Sequence, residues 1–176
     1  ELFKIEQYVE MVLSCARLES DSTDYVIRSL PLEQIVKPAV RKYAPMFISK
    51  KLSLEMSSLT ATVLTDEKWA QFIVEQILSN SLKYTRTGSI RIWQKDPAAL
   101  VIEDTGIGID PADIPRLGER GFTGYNGRLD KKSTGIGLYL CKEISRRLSH
   151  TLTIESEPGK GTRVTIDFAT RQLQAE

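Results

Sequence analysis

Residues 103–110 read EDTGIGID and residues 131–140 read KKSTGIGLYL, and between Asp104 and Leu138 lie eight of the chain's eleven glycines. Glycine lacks a Cβ, so it admits positive φ and lets a ligand approach the main chain closely. Two such clusters bracketing one loop suit a ligand that carries phosphate. The first cluster follows ALVI at residues 99–102, an apolar run fit for a central strand. Asp104 then stands at the mouth of a sheet, where its carboxylate can accept from an adenine amine. Alone, the same string is equally a strand-ending turn. The second cluster, STGIGL at 133–138, opens a helix with Ile136, Leu140 and Ile144 at four-residue steps. Free amides at a helix start carry about half a positive charge and cradle phosphate, although a close-packed helix start reads the same way. Between residues 120 and 134, Arg120, Arg128, Lys131 and Lys132 face only Asp130, a local +3 that suits a lid over triphosphate or a solvated charge run.

Outward from these clusters, residues 67–84 form a helix that Thr65 and Asp66 can cap, with Trp69, Phe72, Ile73 and Ile77 on one side. Gln76 and Asn80 lie one turn apart beside that face, and Lys83 and Tyr84 follow Asn80 at i+3 and i+4. An oxygen ligand, a cation and a ring converge, which suits a Mg²⁺-bound phosphate with a base nearby; a lone Asn also serves as a backbone bridge. Short strands are expected in YVIRSL (25–30), LSLEM (52–56) and TVL (62–64), with a helix from Pro31 to about Ser49. SIRIWQ (89–94) pairs with 99–102 as a hairpin, Asp110-Pro111 starts a short helix through Arg116, and two strands around Leu152, Ile154 and Val164, Ile166, Phe168 flank the turn EPGKG. The fold class is therefore α/β (α+β): a two-layer sandwich with a mixed sheet of about five strands on about three helices.

Residues 1–20 form an amphipathic helix with Leu2, Ile5, Val9, Val12 and Ala16 in one stripe and Tyr8, Leu13 and Leu18 widening it, so it is expected to bury itself against other helices. The chain begins inside this helix, as if in the remnant of a longer element. The polar run at 20–24 is the expected domain boundary, with one domain from 25 to 170 and a polar tail at 171–176. With 41% apolar and 27% charged residues and a net charge of +1, the chain has no global field to gather nucleic acid or an anionic membrane. It contains no 18-residue apolar run. Cys15 and Cys141 lack metal-ligand spacing and read as reduced thiols of a cytoplasmic protein.

Asn, DxGxG and GxG in this order resemble the catalytic, ATP-binding domain of sensor histidine kinases of bacterial two-component systems, in the Bergerat-fold ATPase superfamily. The resemblance covers nearly the whole chain: QILSNSLKYT is similar to the family's N box, EDTGIGI, STGIGL and SEPGKGT to its three G boxes, and the Phe122 region to its F box. It implies ATP and Mg²⁺ as ligands. Asn80 would hold the metal, Lys83 would meet the phosphates, and Tyr84 would flank the nucleotide. Asp104 would accept from the adenine amine with support from Thr162, and Gly106, Gly108 and Ile109 would form the base pocket. Lys132, Thr134, Gly135, Ile136, Gly137 and Leu138 would face the phosphates. Gln76 stands where the family's N box usually carries an Asn, so its part in metal binding is open.

The resemblance further implies that residues 2–18 belong to the second helix of a dimerising, phosphoacceptor hairpin. The acceptor histidine is not expected in this chain, because His150 lies at a helix-to-strand junction and reads as structural. The chain thus carries no expected catalytic residue of its own. The implied partners are the hairpin, a second copy in a homodimer and a response regulator's receiver domain; the full protein would be membrane-anchored with this domain cytoplasmic. RGFTGYNGR followed by STGIGLYL resembles a subgroup from Gram-positive bacteria working with peptide-responsive transporters. Two rivals share the pocket, an ATP-hydrolysing switch and a serine-directed kinase controlling sigma factors; a third is a non-enzymatic dimerisation module. The switch would need a general base where Gln76 stands, and an amide takes no proton.

Overall fold

The computed structural model describes residues 2–19, 24–95, 97–124 and 134–169; within the first helix the side chains of residues 2–4, 7, 8 and 19 are left out. The elements run α1 (Leu2–Glu19), β1 (Ile27–Pro31), α2 (Leu32–Lys50), β2 (Ser53–Met56), β3 (Thr62–Asp66), α3 (Glu67–Tyr84), β4 (Ser89–Lys95), β5 (Ala99–Asp104), a 3₁₀ turn (Ile114–Arg116), α4 (Gly137–Arg147), β6 (Thr151–Glu157) and β7 (Gly161–Asp167). Five strands make one mixed sheet in the order β2-β4-β5-β7-β6, parallel only between β2 and β4. β1 and β3 pair antiparallel in a separate two-stranded sheet. Together with the helices this is the two-layer α/β sandwich the sequence implies, enlarged by that small second sheet.

Period-two alternation decides which face is covered. Ile90 and Ile92 of β4, Leu100 and Ile102 of β5, and Val164 and Ile166 of β7 are buried against Leu32, Ile35, Val36 and Tyr43 of α2, Ile73 and Ile77 of α3, and Leu140 and Ile144 of α4. The opposite face carries charge in register, Glu55 beside Arg91, Glu103, Arg163 and Glu155 across all five strands. Glu103 accepts from both Arg91 and Arg163, and both guanidiniums lie over the Trp93 ring, 5.4 and 5.8 Å from its centroid. A face built of paired charge stays compatible with water, so one layer of helices suffices.

Helix boundaries follow local chemistry. Asp66 caps α3, its Oδ1 accepting from Trp69 N at 3.0 Å, and its Oδ2 accepts from Val26 N at 2.8 Å. α2 ends without a glycine: Lys51 adopts the left-handed conformation, φ 55°, while Lys51 N and Leu52 N donate to Ile48 O and Phe47 O. The short helix expected from Asp110 to Arg116 is instead a turn followed by the 3₁₀ segment. Pro115 lacks an N–H and disfavours the α conformation at Ile114, which prevents a regular α-turn. No helix among the described residues is long and apolar enough to cross a membrane.

Candidate functional site

β5 ends on Asp104, which is 5% exposed. Its Oδ1 accepts from Gly106 N at 2.9 Å and Thr162 N at 3.3 Å, and the Ser81 hydroxyl donates to the same carboxylate. Burial pushes the carboxyl above the usual range, and these three donors oppose that shift. The buried carboxylate of Asp104 therefore sits at the sheet mouth, fixed by one main-chain donor of the loop after β5 and one of β7. Gly106 is glycine for want of space: a Cβ there would lie 2.6 Å from Tyr84 O, 2.8 Å from Asp104 Oδ1 and 2.9 Å from Thr85 Oγ1.

The loop after Asp104 is stitched to its surroundings. Ile107 N donates to Tyr84 O at 3.1 Å, Gly159 N donates to Ile107 O at 2.8 Å, and Gly108 packs against the Glu157 carbonyl. Ile109 N donates to Ser156 Oγ at 2.9 Å. Ser156 spends its own proton on Gly161 O at 2.7 Å, so the Thr162 hydroxyl, 2.9 Å away, is the donor to Ser156. Thr162 thus reaches Asp104 through its main-chain N–H, and its hydroxyl is committed elsewhere.

α3 supplies the amides and the cation. Gln76 turns toward α4, its Oε1 2.7 Å from where a Cβ on Gly137 would stand. Asn80 is half-buried one turn further on, and Lys83 holds its ammonium 5.1 Å from the Tyr84 ring centroid. Residues 76 to 84 cover about 12 Å at 1.5 Å per residue, so α3 spans from the start of α4 to the loop under Asp104. Among the described residues no group of three or more His, Cys, Asp or Glu side chains could hold a metal ion. A lone Asn80 oxygen fits Mg²⁺, which keeps most of its shell for phosphate and water.

The start of α4 forms the other end. Gly135, φ 67°, adopts the left-handed conformation, and a Cβ on it would strike Phe122 O at 2.7 Å. Gly121 N donates to Gly135 O at 3.3 Å and Ile136 N to Thr134 Oγ1 at 3.4 Å. The amides opening α4, at Gly137 and Leu138, lack intrahelical partners as any first turn does. Arg120 lies over the Tyr139 ring at 6.0 Å, while Lys142 reaches back to the Leu117 carbonyl. Lys132, with Arg128, Asp130 and Lys131, lies outside the described residues.

The sequence reading missed Ser81, Thr85 and Ser156, all three of which sit in or beside this cluster. Each lies within a quoted box, directly after Asn80, directly after Tyr84 and just before the EPGKG turn, so position alone could have marked them.

A sheet covered on one face, with a buried carboxylate at its central strand and a glycine-led helix start joined along one amide-bearing helix, is the architecture of a Bergerat-fold ATP-binding domain. Over residues 65–172 the chain matches the family described as histidine kinase-, DNA gyrase B-, and HSP90-like ATPase, and it belongs to that family. It is 34% identical over 177 residues to the sensor histidine kinase YxdK of Bacillus subtilis (strain 168), covering 97% of this chain and 54% of that protein. It is 32% identical over 174 residues to the sensor protein BceS of the same organism, covering 97% and 52%. The chain therefore spans about half the length of the curated relatives it matches. The crystal structure of full-length ShkA in complex with AMPPNP shares its fold, with a TM-score of 0.76 at 21% identity over 98% of this chain and 38% of that one.

Proposed function

We propose that this chain is the catalytic, ATP-binding domain of a sensor histidine kinase and transfers the γ-phosphoryl group of ATP to a histidine outside these 176 residues. The observation that carries the reading is the alignment along α3, with Gln76 facing the amides of α4, Asn80 one turn on, and Ser81 at Asp104 followed by Lys83 toward the far end. Asp104 accepts from the adenine amine, Gly106, Gly108 and Ile109 shape the loop around the base, and Tyr84 flanks the nucleotide. The α4 amides at Gly135 to Leu138 and the Lys83 ammonium bind the phosphates. Asn80 would hold Mg²⁺, which would supply charge neutralisation at the phosphates. The domain's own contribution is then to position and neutralise, and no nucleophile is needed from it.

The hydrolytic alternative would place a general base where Gln76 stands, and an amide takes no proton. Glu75, the carboxylate next to Gln76, is 6% exposed and pairs with Lys42 at 2.5 Å, accepting also from Gln71 at 2.8 Å. It faces α2 rather than the nucleotide. α1 fits the reading as part of a dimerising helix: Ile5, Val9, Val12 and Leu13 are exposed apolar side chains that a second copy would cover. On this reading 25–170 is the catalytic unit, the whole protein is a membrane-anchored homodimer with this domain in the cytoplasm, and the phosphate passes to a response regulator.

The test mixes this chain with labelled ATP, Mg²⁺ and a separate hairpin carrying the acceptor histidine. The wild-type chain should label the hairpin, and Asn80→Ala should lower the rate by about 100-fold or more, on the order of the loss of one charge-neutralising contact. Labelling by Asn80→Ala at the wild-type rate would remove Asn80 from the metal site; absent transfer by the wild-type chain would sink the kinase reading.

A further inference from the structure

We infer that Lys142, which lies beyond every quoted box, is a positioning residue: from the second turn of α4 it fastens the segment 114–122, whose far end sets the bend at Gly135 before the first amides of that helix. This inference rests on the nucleotide-binding reading above. The segment begins with a built turn. Leu117 at φ −57° and ψ 129° and Gly118 at φ 83°, closed by Glu119 N donating to Arg116 O at 3.0 Å, make a type II turn. Its middle carbonyl, Leu117 O, takes no part in that closing bond and accepts instead from the Lys142 ammonium. The lysine stem lies across Gly118, where a Cβ would come within 2.9 Å of Lys142 Cε. Residue 118 is therefore glycine for two reasons, its positive φ and the lysine beside it. Immobilising a lysine costs rotamer entropy, and water could serve a carbonyl at this half-exposed turn. The consequence of the bond thus lies in where it holds the chain.

From that turn to Gly135 the segment is braced. Arg116 pairs with Glu119 at 3.1 Å and lies over the Phe122 ring, 4.2 Å from its centroid, while Phe122 N donates to Glu119 O at 3.0 Å. Phe122 then meets the bend. Its N and O stand 2.8 and 2.7 Å from the point that a Cβ on Gly135 would occupy, and Gly121 N donates to Gly135 O at 3.3 Å. The segment is thus held to α4 at both ends, by Lys142 at one and by Gly135 at the other, and the first two turns of α4 close the frame. Freeing the Leu117 end lets Phe122 and Gly135 shift together. The amides of Gly137 and Leu138 follow directly, and the partial charge of a helix start acts only within its first turn, so a small shift in their aim weakens their hold on phosphate. The base end is fixed elsewhere, by Gly106, Ser81 and Thr162 around Asp104.

Titrating the whole chain with ATP and Mg²⁺, and separately with adenosine, which keeps the base and lacks the phosphates, separates the two ends of the site. Amide chemical shifts follow both, since they read tight and weak binding alike. Lys142→Met, which keeps most of the stem and removes the donor, should weaken ATP by about five- to tenfold while leaving adenosine within about twofold. Lys142→Arg, which retains a cationic donor, should stay within about twofold of the wild-type chain for both. Gly118→Ala puts a Cβ against the same stem and should show the selective loss of Lys142→Met; the thermal midpoint of each apo variant checks that it folds. Lys142→Met or Gly118→Ala with the wild-type ratio of affinities, or with ATP and adenosine weakened equally, overturns the role of Lys142 alone. A wild-type chain that binds neither ligand overturns the nucleotide reading and this inference with it.

Discussion

His150 is the chain's single histidine, and its surroundings leave it no freedom to accept a phosphoryl group. It is 6% exposed, its Nε2 lies 2.8 Å from Thr65 Oγ1, and its ring meets Phe168 edge-on at 4.9 Å. Nδ1 has no partner, and burial lowers the pKa from 6.5 to about 4 against the raising influence of Asp167. The folded chain therefore keeps the imidazole neutral where the unfolded chain protonates it. Between pH 6.5 and 4 the unfolded state binds more protons, so stability should fall with falling pH by up to about 1.4 kcal/mol per unit. Urea midpoints at pH 7.5, 6 and 5 should show this slope in the wild-type chain and a shallower one in His150→Gln. Equal slopes would assign the effect to carboxylates instead. Residue chemistry was largely legible in the sequence, as the buried Asp104 illustrates, but direction was not. Gln76 could be read as a metal amide, yet Gly137 leaves room for it to face α4; Thr162 could be read as a support for Asp104, but not by which group, and it is the main-chain N–H that reaches the carboxylate while Ser156 claims the hydroxyl.

Elements were legible where pattern and punctuation agreed. β4 alternates Ile90 and Ile92 with Arg91 and Trp93, and Asp66 caps α3, because both signals act over a few neighbouring residues. The end of α3 depends on a more distant partner. α3 stops at Tyr84, where Lys50 from the last turn of α2 donates to the carbonyls of Leu82 and Thr85. Burial and the nearby Arg86 lower the Lys50 pKa, as befits an ammonium whose partners are carbonyls and not a carboxylate. Replacing Lys50 by Met keeps most of the stem and removes the cap, so the chain should lose about 1 to 2 kcal/mol. Faster amide exchange confined to the last turn of α3 in Lys50→Met, together with a lower urea midpoint, would bear this out; unchanged exchange there would show that the cap is idle.

At the scale of the molecule, the attachment of α1 turns on a bridge that joins three helices. Lys42 of α2 reaches Glu10 of α1 at 3.2 Å and the buried Glu75 of α3 at 2.5 Å. Burial alone would lower the Lys42 pKa, but its bonds to Glu75 and Glu10 raise it overall. Elsewhere on α1, Ser14 and Leu18 are buried, and Met11 Sδ lies 3.9 Å from Thr134 Oγ1 near the start of α4. Lys42→Met strands the Glu75 charge, and with Lys42 partly exposed the expected cost is about 2 to 3 kcal/mol by denaturation. The double variant with Glu75→Met should recover most of it. Failure to recover would mean that Lys42 acts through packing and not through its charge.

The sequence by itself determined the class of fold and the order of the site's parts, because periodicity, caps and glycine clusters are local and each names its own chemistry. Only the tertiary structure decided the strand order β2-β4-β5-β7-β6, the separate pairing of β1 with β3, and the turn of Gln76 and Glu75 toward opposite neighbours. Those outcomes depend on which surfaces meet across the core, and contacts between residues far apart in the chain leave no spacing to read. The two glycine clusters that open the reading are joined in the same way: α3, lying between them in space but before both in sequence, carries Ser81 to Asp104 and Gln76 to Gly137.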